Sequence, residues 1–172
     1  VTEPTPDQAK LLDTFRDTMR HVAATVFAVT TTHEGERFGM LATAVSSLSF
    51  APPSLLVCVN HGASMYQPVT QAGRFCVNVL ATGNQPVAEH FATSEGPDRF
   101  KLGKWEDLHG MPVLADAQSS LICKIVDQHD FGTHSILIGE LTHGWHRGGT
   151  SPLAYCDRRY VEIAQRQLDG SA

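Results

Sequence analysis

The chain predicts a mainly β (α+β) fold: an antiparallel barrel whose ends are covered by a few helices. Three observations carry this expectation. Short runs rich in β-branched and aromatic residues recur along the chain with turn residues between them. Only two or three segments show helical spacing. A length of 172 residues, 42% hydrophobic and 18% charged, suits one globular domain with a real core.

The first element is a helix. Thr5-Pro6-Asp7-Gln8 supplies an N-cap, a first-turn proline and a glutamine placed to complete a capping box. Leu11, Leu12, Phe15, Met19 and Val22 then recur at helical spacing, which predicts an amphipathic helix with one buried face. Val26 to Thr30 is rich in β-formers, His33-Glu34-Gly35-Glu36 reads as a turn, and the chain returns as a strand from Phe38. A hairpin is expected there. Leu55 to Val59 is a short buried strand after a Pro52-Pro53 stop. Ser64 to Ala72 fits a helix capped by Ser64 and stopped by Gly73, with Pro68 tolerable only in its first turn. Arg74 to Leu80 alternates as a strand should.

Asn84 is placed to cap a short helix over Gln85 to Ala92, and Gly96 to Gly110 reads as a loop with one helical turn. Leu121 to Phe131 and His134 to Thr142 are expected to pair across Gly132-Thr133. After a loop from Arg147 to Pro152, Tyr155 to Ile163 reads as a final strand, and a polar tail follows Gln165. No internal repeat, low-complexity block or linker divides the chain. Residues 1–172 are therefore read as a single domain, with its core at about 15–163 and both termini peripheral.

Composition narrows the function classes. A net charge of −5 argues against nucleic acid, which demands a basic face. No stretch approaches the ~20 unbroken apolar residues of a membrane span. The segment Val1 to Pro6 lacks a basic region followed by an apolar run, so no secretory leader and a cytoplasmic location are expected. Cys58, Cys76, Cys123 and Cys156 include no pair at metal-ligand spacing, and three lie in apolar strand-like runs, as reduced thiols of a cytosolic protein do. His143 and His146, three apart in a strand, point to opposite faces and carry no metal reading.

The run from Gly39 to Phe50 is the most informative. It is built largely from Gly, Ala, Ser and Thr, whose small side chains let backbone and hydroxyl groups approach a ligand closely. It is followed by an apolar strand ending on Asn60. Several ordered pieces then carry a resemblance spanning about Phe15 to Tyr160: Gly39-Met40 with Ala42-Thr43-Ala44, then Ser47, the Pro52-Pro53 stop, and Leu56-Val57-Cys58-Val59-Asn60. Phe75 to Leu80, Asp98-Arg99-Phe100, Gly132-Thr133-His134 and Pro152-Leu153-Ala154-Tyr155 follow in order. Together they resemble the short-chain NAD(P)H-dependent flavin reductases, the reductase components of two-component flavin monooxygenases. Where those most typically have Thr, this chain has Leu41; where they often have Asp, it has Thr133.

The resemblance implies an FMN-binding split β-barrel and a homodimer with flavin near the subunit interface. It also implies hydride transfer from NADH or NADPH to FMN or FAD, with reduced flavin passed by diffusion to a partner monooxygenase. The cofactors carry that chemistry, so no catalytic acid, base or nucleophile is strictly required. Gly39, Met40, Leu41, Ala42, Thr43 and Ala44 are expected beside the flavin ring through their main chain, with Leu41 offering no hydroxyl. Thr43, Ser46 and Ser47 are candidates for the ribityl chain or phosphate. Asn60, and a helix N-terminus at Ala63-Ser64, suit a phosphate, and Arg99 or Lys101 suits a charge-assisted contact.

Phe100, with Trp105, reads either as a stacking platform or as core. The resemblance assigns His134 to positioning the nicotinamide, with Tyr155 and Arg159 as further candidates that read equally as packing or solvation of the last strand. Two other readings stay open: a flavin-dependent reductase of another acceptor such as a corrinoid, and a non-catalytic flavin-binding protein.

Overall fold

Tight turns with left-handed backbone set the architecture. In a computed structural model of the chain, which describes residues 5–163, helix α1 (Pro6–Arg20) leads into β1 (Ala24–Thr25), β2 (Phe27–His33), β3 (Glu36–Ala42), β4 (Val45–Phe50) and β5 (Pro53–Asn60). Helix α2 (Tyr66–Ala72), strand β6 (Arg74–Val79) and helix α3 (Gln85–Thr93) follow, then β7 (Trp105–Leu108) and β8 (Met111–Leu114). The long β9 (Ser119–Phe131) and β10 (His134–His146) precede the short β11 (Ala154–Cys156) and β12 (Arg159–Val161). The expected tail beyond Gln165 lies outside the described residues. In the β2–β3, β7–β8 and β11–β12 turns both central residues have positive φ: Glu34 and Gly35, His109 and Gly110, Asp157 and Arg158. That backbone matches the right-handed twist of the flanking strands.

Seven strands form one antiparallel sheet in the order β3-β2-β6-β9-β10-β5-β4. Its two edges, β3 and β4, are separated in the chain only by Thr43 and Ala44. The sheet therefore curls until its edges approach each other, giving the expected barrel, split at the β3/β4 seam. One buried cluster fills the barrel, with Val29, Val57, Val59, Met65, Phe75 and Leu137 among its members. A second packs Ala28, Leu80 and Leu114 against Ala88 and Phe91 of α3. β2 thus buries both faces, Val29 on one and Ala28 on the other, as a period of two requires.

Asn78 on β6 joins these layers and is fully buried. Its Nδ2 donates to the Ala28 carbonyl at 3.1 Å and to Thr30 Oγ1 at 3.3 Å. Its Oδ1 accepts from the Leu114 N–H and from Ser120 Oγ, both at 2.9 Å. One amide therefore ties β2, β6, β8 and β9.

Several local expectations need correction. No residue of α1 is buried, because its attachments sit at its C-terminal end, where the Asp157 N–H donates to the Arg20 carbonyl at 2.8 Å and Arg20 pairs with Asp157 at 3.3 Å. Leu11 and Phe15 remain 70% and 62% exposed. α2 starts at Tyr66, so Ser64 is not its cap, although Gly73 stops it with φ +64° and Pro68 does fall in its first turn. Asn84 does stand at the N-cap of α3, but its side chain accepts from the Ala81 N–H at 2.9 Å and makes no bond to the helix. The segment read as a loop over 96–110 holds the helical turn Gly96–Lys101 and, from Trp105, the first strand of the β7–β8 hairpin. The final strand is a hairpin, β11–β12, turned at Asp157-Arg158.

Replacing Asn78 with Ala strands buried polar groups of three neighbouring strands, and should lower the urea-unfolding free energy by roughly 2–4 kcal/mol. An unchanged midpoint would remove Asn78 from this role.

Candidate active site

The β3 edge supplies backbone to a cleft. Because the β2–β3 turn has two residues, His33 and Glu36 close the ladder as a hydrogen-bonded pair, and such pairs alternate along the strands. Gly39 and Leu41 then fall at positions whose N–H and C=O point away from β2. The contacts agree: the Gly39 carbonyl accepts from Arg99 Nη1. Leu41, two residues on, presents its peptide groups at the seam. Gly39 itself is constrained from below, since a Cβ there would meet Phe91 Cε1 at 2.9 Å and Phe100 Cζ at 3.2 Å.

A cleft of about 570 Å³ opens beside this edge, lined by Met40, Leu41, Ala42, Thr43, Ala44, Cys58, Asn60, Ala63 and His134. The structure thus brings Met40, Leu41, Ala42, Thr43, Ala44 and Asn60, half of the expected flavin residues, together with His134 of the expected nicotinamide residues. Asn60 and His134 lie directly opposite each other on β5 and β10. Asn60 Oδ1 accepts from the Gly62 N–H at 2.8 Å, which fixes the amide so that Nδ2 faces His134 Nε2 at 3.5 Å. An amide nitrogen only donates, so Nε2 is the accepting atom of a neutral ring, and Nδ1–H donates to Thr133 Oγ1 at 2.9 Å. The Nε2 lone pair thus faces Asn60, itself a cleft residue, through one long bond that a ligand donor could replace.

The other expected residues stand elsewhere. Ser46 and Ser47 line a separate, mainly apolar groove of about 710 Å³ with Phe27, Val45, Phe50 and Leu55. Tyr155 borders a third cavity of about 530 Å³ on the far side of Leu41–Thr43, where Tyr160 and Ala92 meet it. Arg99 is a tie: besides Gly39 it donates from Nε to the Ser94 carbonyl at 2.9 Å and from Nη1 to Ser64 Oγ at 3.5 Å. Ser64 lies two residues ahead of a seven-residue helix, so its expected place at a helix N-terminus does not hold. Phe100 packs edge-on to Phe91 and Trp105, with centroids 5.4 and 5.1 Å away. Arg159 is exposed and reaches Asp157 at 3.9 Å.

Cys58 is a cleft residue that sequence patterning did not assign to the site, and Ala63, expected beside a phosphate, lines the cleft as well. Strand alternation marks Cys58, which shares a face with Asn60 while Val57 and Val59 point inward. Cys76 and Cys123 differ: burial pushes both thiols up to about 12.

Residues 19–164 match the flavin reductase like domain family. The chain belongs to that family. This flavin reductase-like chain is 41% identical over 160 residues to the FMN reductase (NADH) RutF 1 of Methylorubrum extorquens, covering 92% of the chain and 80% of the relative. The NADH:FAD oxidoreductase SgcE6 of Streptomyces globisporus, in complex with NAD and FAD fragments, superposes with a TM-score of 0.83 at 27% identity, covering 99% of this chain and 100% of that one. BorF, the flavin reductase component of a bacterial two-component tryptophan halogenase, gives a TM-score of 0.81 at 28% identity over 90% of this chain and 99% of its own.

In the native protein a thiol reagent at pH 8 should label Cys58 and Cys156 and spare Cys76 and Cys123; four rapid labels would contradict their burial. The folded chain also keeps two thiol protons that an unfolded chain releases near 9.0. Stability should therefore fall as pH rises from about 9 toward about 12, as denaturant titrations across that window would show.

Proposed function

We propose that the chain is, as one domain, an NADH:flavin oxidoreductase that reduces FMN, or FAD by the same ring, and releases it to a partner flavoenzyme. The observation that carries this is the convergence of the Leu41 edge backbone, Asn60 and the His134 lone pair on one cleft. The fit to a flavin rests on chemistry: outward N–H and C=O groups suit the polar edge of the ring system, and the small side chains of Ala42, Thr43 and Ala44 leave it room. Bound flavin supplies the ring that accepts a hydride from reduced nicotinamide. The protein binds and orients. Leu41 contributes main chain only, so the loss of a hydroxyl there costs no backbone bond. Thr43 and Asn60 serve the flavin's polar chain, and Arg99 acts by holding Gly39 in place.

Ser46 and Ser47 flank the site on the neighbouring β4 edge, in the separate groove, and Ser64 stands at its margin. His134 accepts from the nicotinamide carboxamide at Nε2, and Tyr155 and Arg159 serve the rest of the dinucleotide. NADH is favoured over NADPH because the RutF relatives are FMN reductases (NADH). The partner is a flavin-dependent monooxygenase, a reading supported by BorF, which is the reductase component of a two-component system. The protein works in the cytoplasm; among the described residues no helix is long and apolar enough to cross a membrane.

The working form is a homodimer. α1 leaves its apolar face uncovered, and Phe50 at the free β4 edge is 92% exposed beside the apolar groove. A second copy is the occupant that matches both surfaces, since each copy offers a helix face and a groove. Light scattering should give twice 18.7 kDa, and Phe15→Asp should move the mass toward the monomer. A wild-type mass of one chain would sink the dimer.

NADH oxidation in air should require added FMN or FAD. His134→Ala should raise KM for NADH about three- to tenfold, the worth of one hydrogen bond, with flavin affinity retained. Tight flavin binding without NADH oxidation would instead indicate a carrier, and acceleration by a corrinoid a different acceptor.

A further inference from the structure

Beyond the cleft, five side chains converge behind the turn that carries His134. Asp130 and Ser135 lie directly opposite each other across that turn. Ser135 is fully buried, whereas the Asp130 side chain is 63% exposed. Ser135 Oγ contacts the Asp130 carboxylate, His61 Nε2 at 3.0 Å, Tyr66 OH at 3.1 Å and Gln128 Nε2 at 3.3 Å. Gln128 Nε2 also lies 3.2 Å from Asp130 Oδ1 and 3.3 Å from Tyr66 OH.

Counting protons orders this cluster. A serine hydroxyl has one proton, and a carboxylate can only accept, so Ser135 donates to Asp130. Its two oxygen lone pairs then accept from His61 Nε2–H and from the Tyr66 hydroxyl, while the two Gln128 amide protons go to Asp130 Oδ1 and Tyr66 OH. The Ser135 and Gln128 hydrogen bonds, with His61 nearby, hold the Asp130 carboxyl below its usual range, as this polarity requires. The His61 ring is further held against Tyr66, with centroids 4.8 Å apart. Its main chain completes the link: the His61 N–H donates to the Thr133 carbonyl at 2.9 Å. The residue before it, Asn60, faces His134 Nε2, and the residue after it, Gly62, orients the Asn60 amide.

We infer that Asp130 is a positioning residue for the reductase reaction: by accepting the Ser135 hydrogen bond it sets His61, and His61 locks Thr133 and Asn60 around the His134 ring. It touches neither flavin nor nicotinamide. This inference rests on the proposed role of His134 at the nicotinamide.

The test is steady-state kinetics on the full chain, varying NADH at saturating FMN and then FMN at saturating NADH. Asp130→Ala should raise KM for NADH about three- to tenfold, with kcat, KM for FMN and the melting temperature held. Asp130→Asn keeps an acceptor oxygen and should recover most of the loss. In a His134→Ala background, Asp130→Ala should add nothing, because the two act as one unit. An unchanged KM for NADH in Asp130→Ala, beside a raised one in His134→Ala, would overturn the positioning role alone. A lowered kcat with raised KM for both NADH and FMN, together with a lower melting temperature, would overturn it in favour of a purely structural staple. An unchanged KM in His134→Ala itself would overturn the reading of His134 and this inference with it.

Discussion

The barrel depends on one buried amide. Asn78 spends both amide protons and both oxygen lone pairs on β2, β8 and β9 while lying within β6. A buried polar group is tolerated only when its hydrogen bonds are made, so these strands have a single relative arrangement that keeps the interior dry. With β2 fixed from behind, β3 can pair on one side and leave its other side open. The cleft exists because one half of the sheet is tied so completely that the other half need not close.

The open edge then gives the site its character. Strand pairing leaves Gly39 and Leu41 facing outward, Arg99 takes the first carbonyl, and the second set of groups remains for a ligand. Opposite it, Asn60 and His134 are neighbours by strand register rather than by sequence. Behind Gly39, Phe91, Phe100 and Trp105 pack together as an aromatic cluster.

Much of this is legible in the sequence. The small-residue run at 39–44, the Gly132-Thr133 turn and the strand ending on Asn60 are visible in composition and turn chemistry, and residues 40–44, Asn60 and the His134 that follows the turn do meet in one cleft. Other features are not visible, for physical reasons. Phe100 and Arg99 have the chemistry of ligand contacts, yet tertiary packing directs one into an aromatic stack and the other onto backbone carbonyls. The β7–β8 hairpin escapes notice because its strands are only four residues each. Its turn needs His109 in a left-handed conformation, which sequence favours only weakly. The apolar stripe of α1 is a true stripe, but it is not buried within one chain, since periodicity reveals a face and not what covers it.

Two residues apart on the same strand, Gly39 and Leu41 stand under opposite steric constraints. Any side chain at Gly39 would collide with the rings beneath it, so that position has almost no freedom to drift. Leu41 meets the cleft through its main chain, which every amino acid except proline carries alike. Substitutions there can accumulate without erasing the hydrogen bonds offered to a ligand, and a lineage can exchange a hydroxyl for an isobutyl group while keeping its chemistry. A site written in backbone is therefore one whose sequence can wander while its function stays in place.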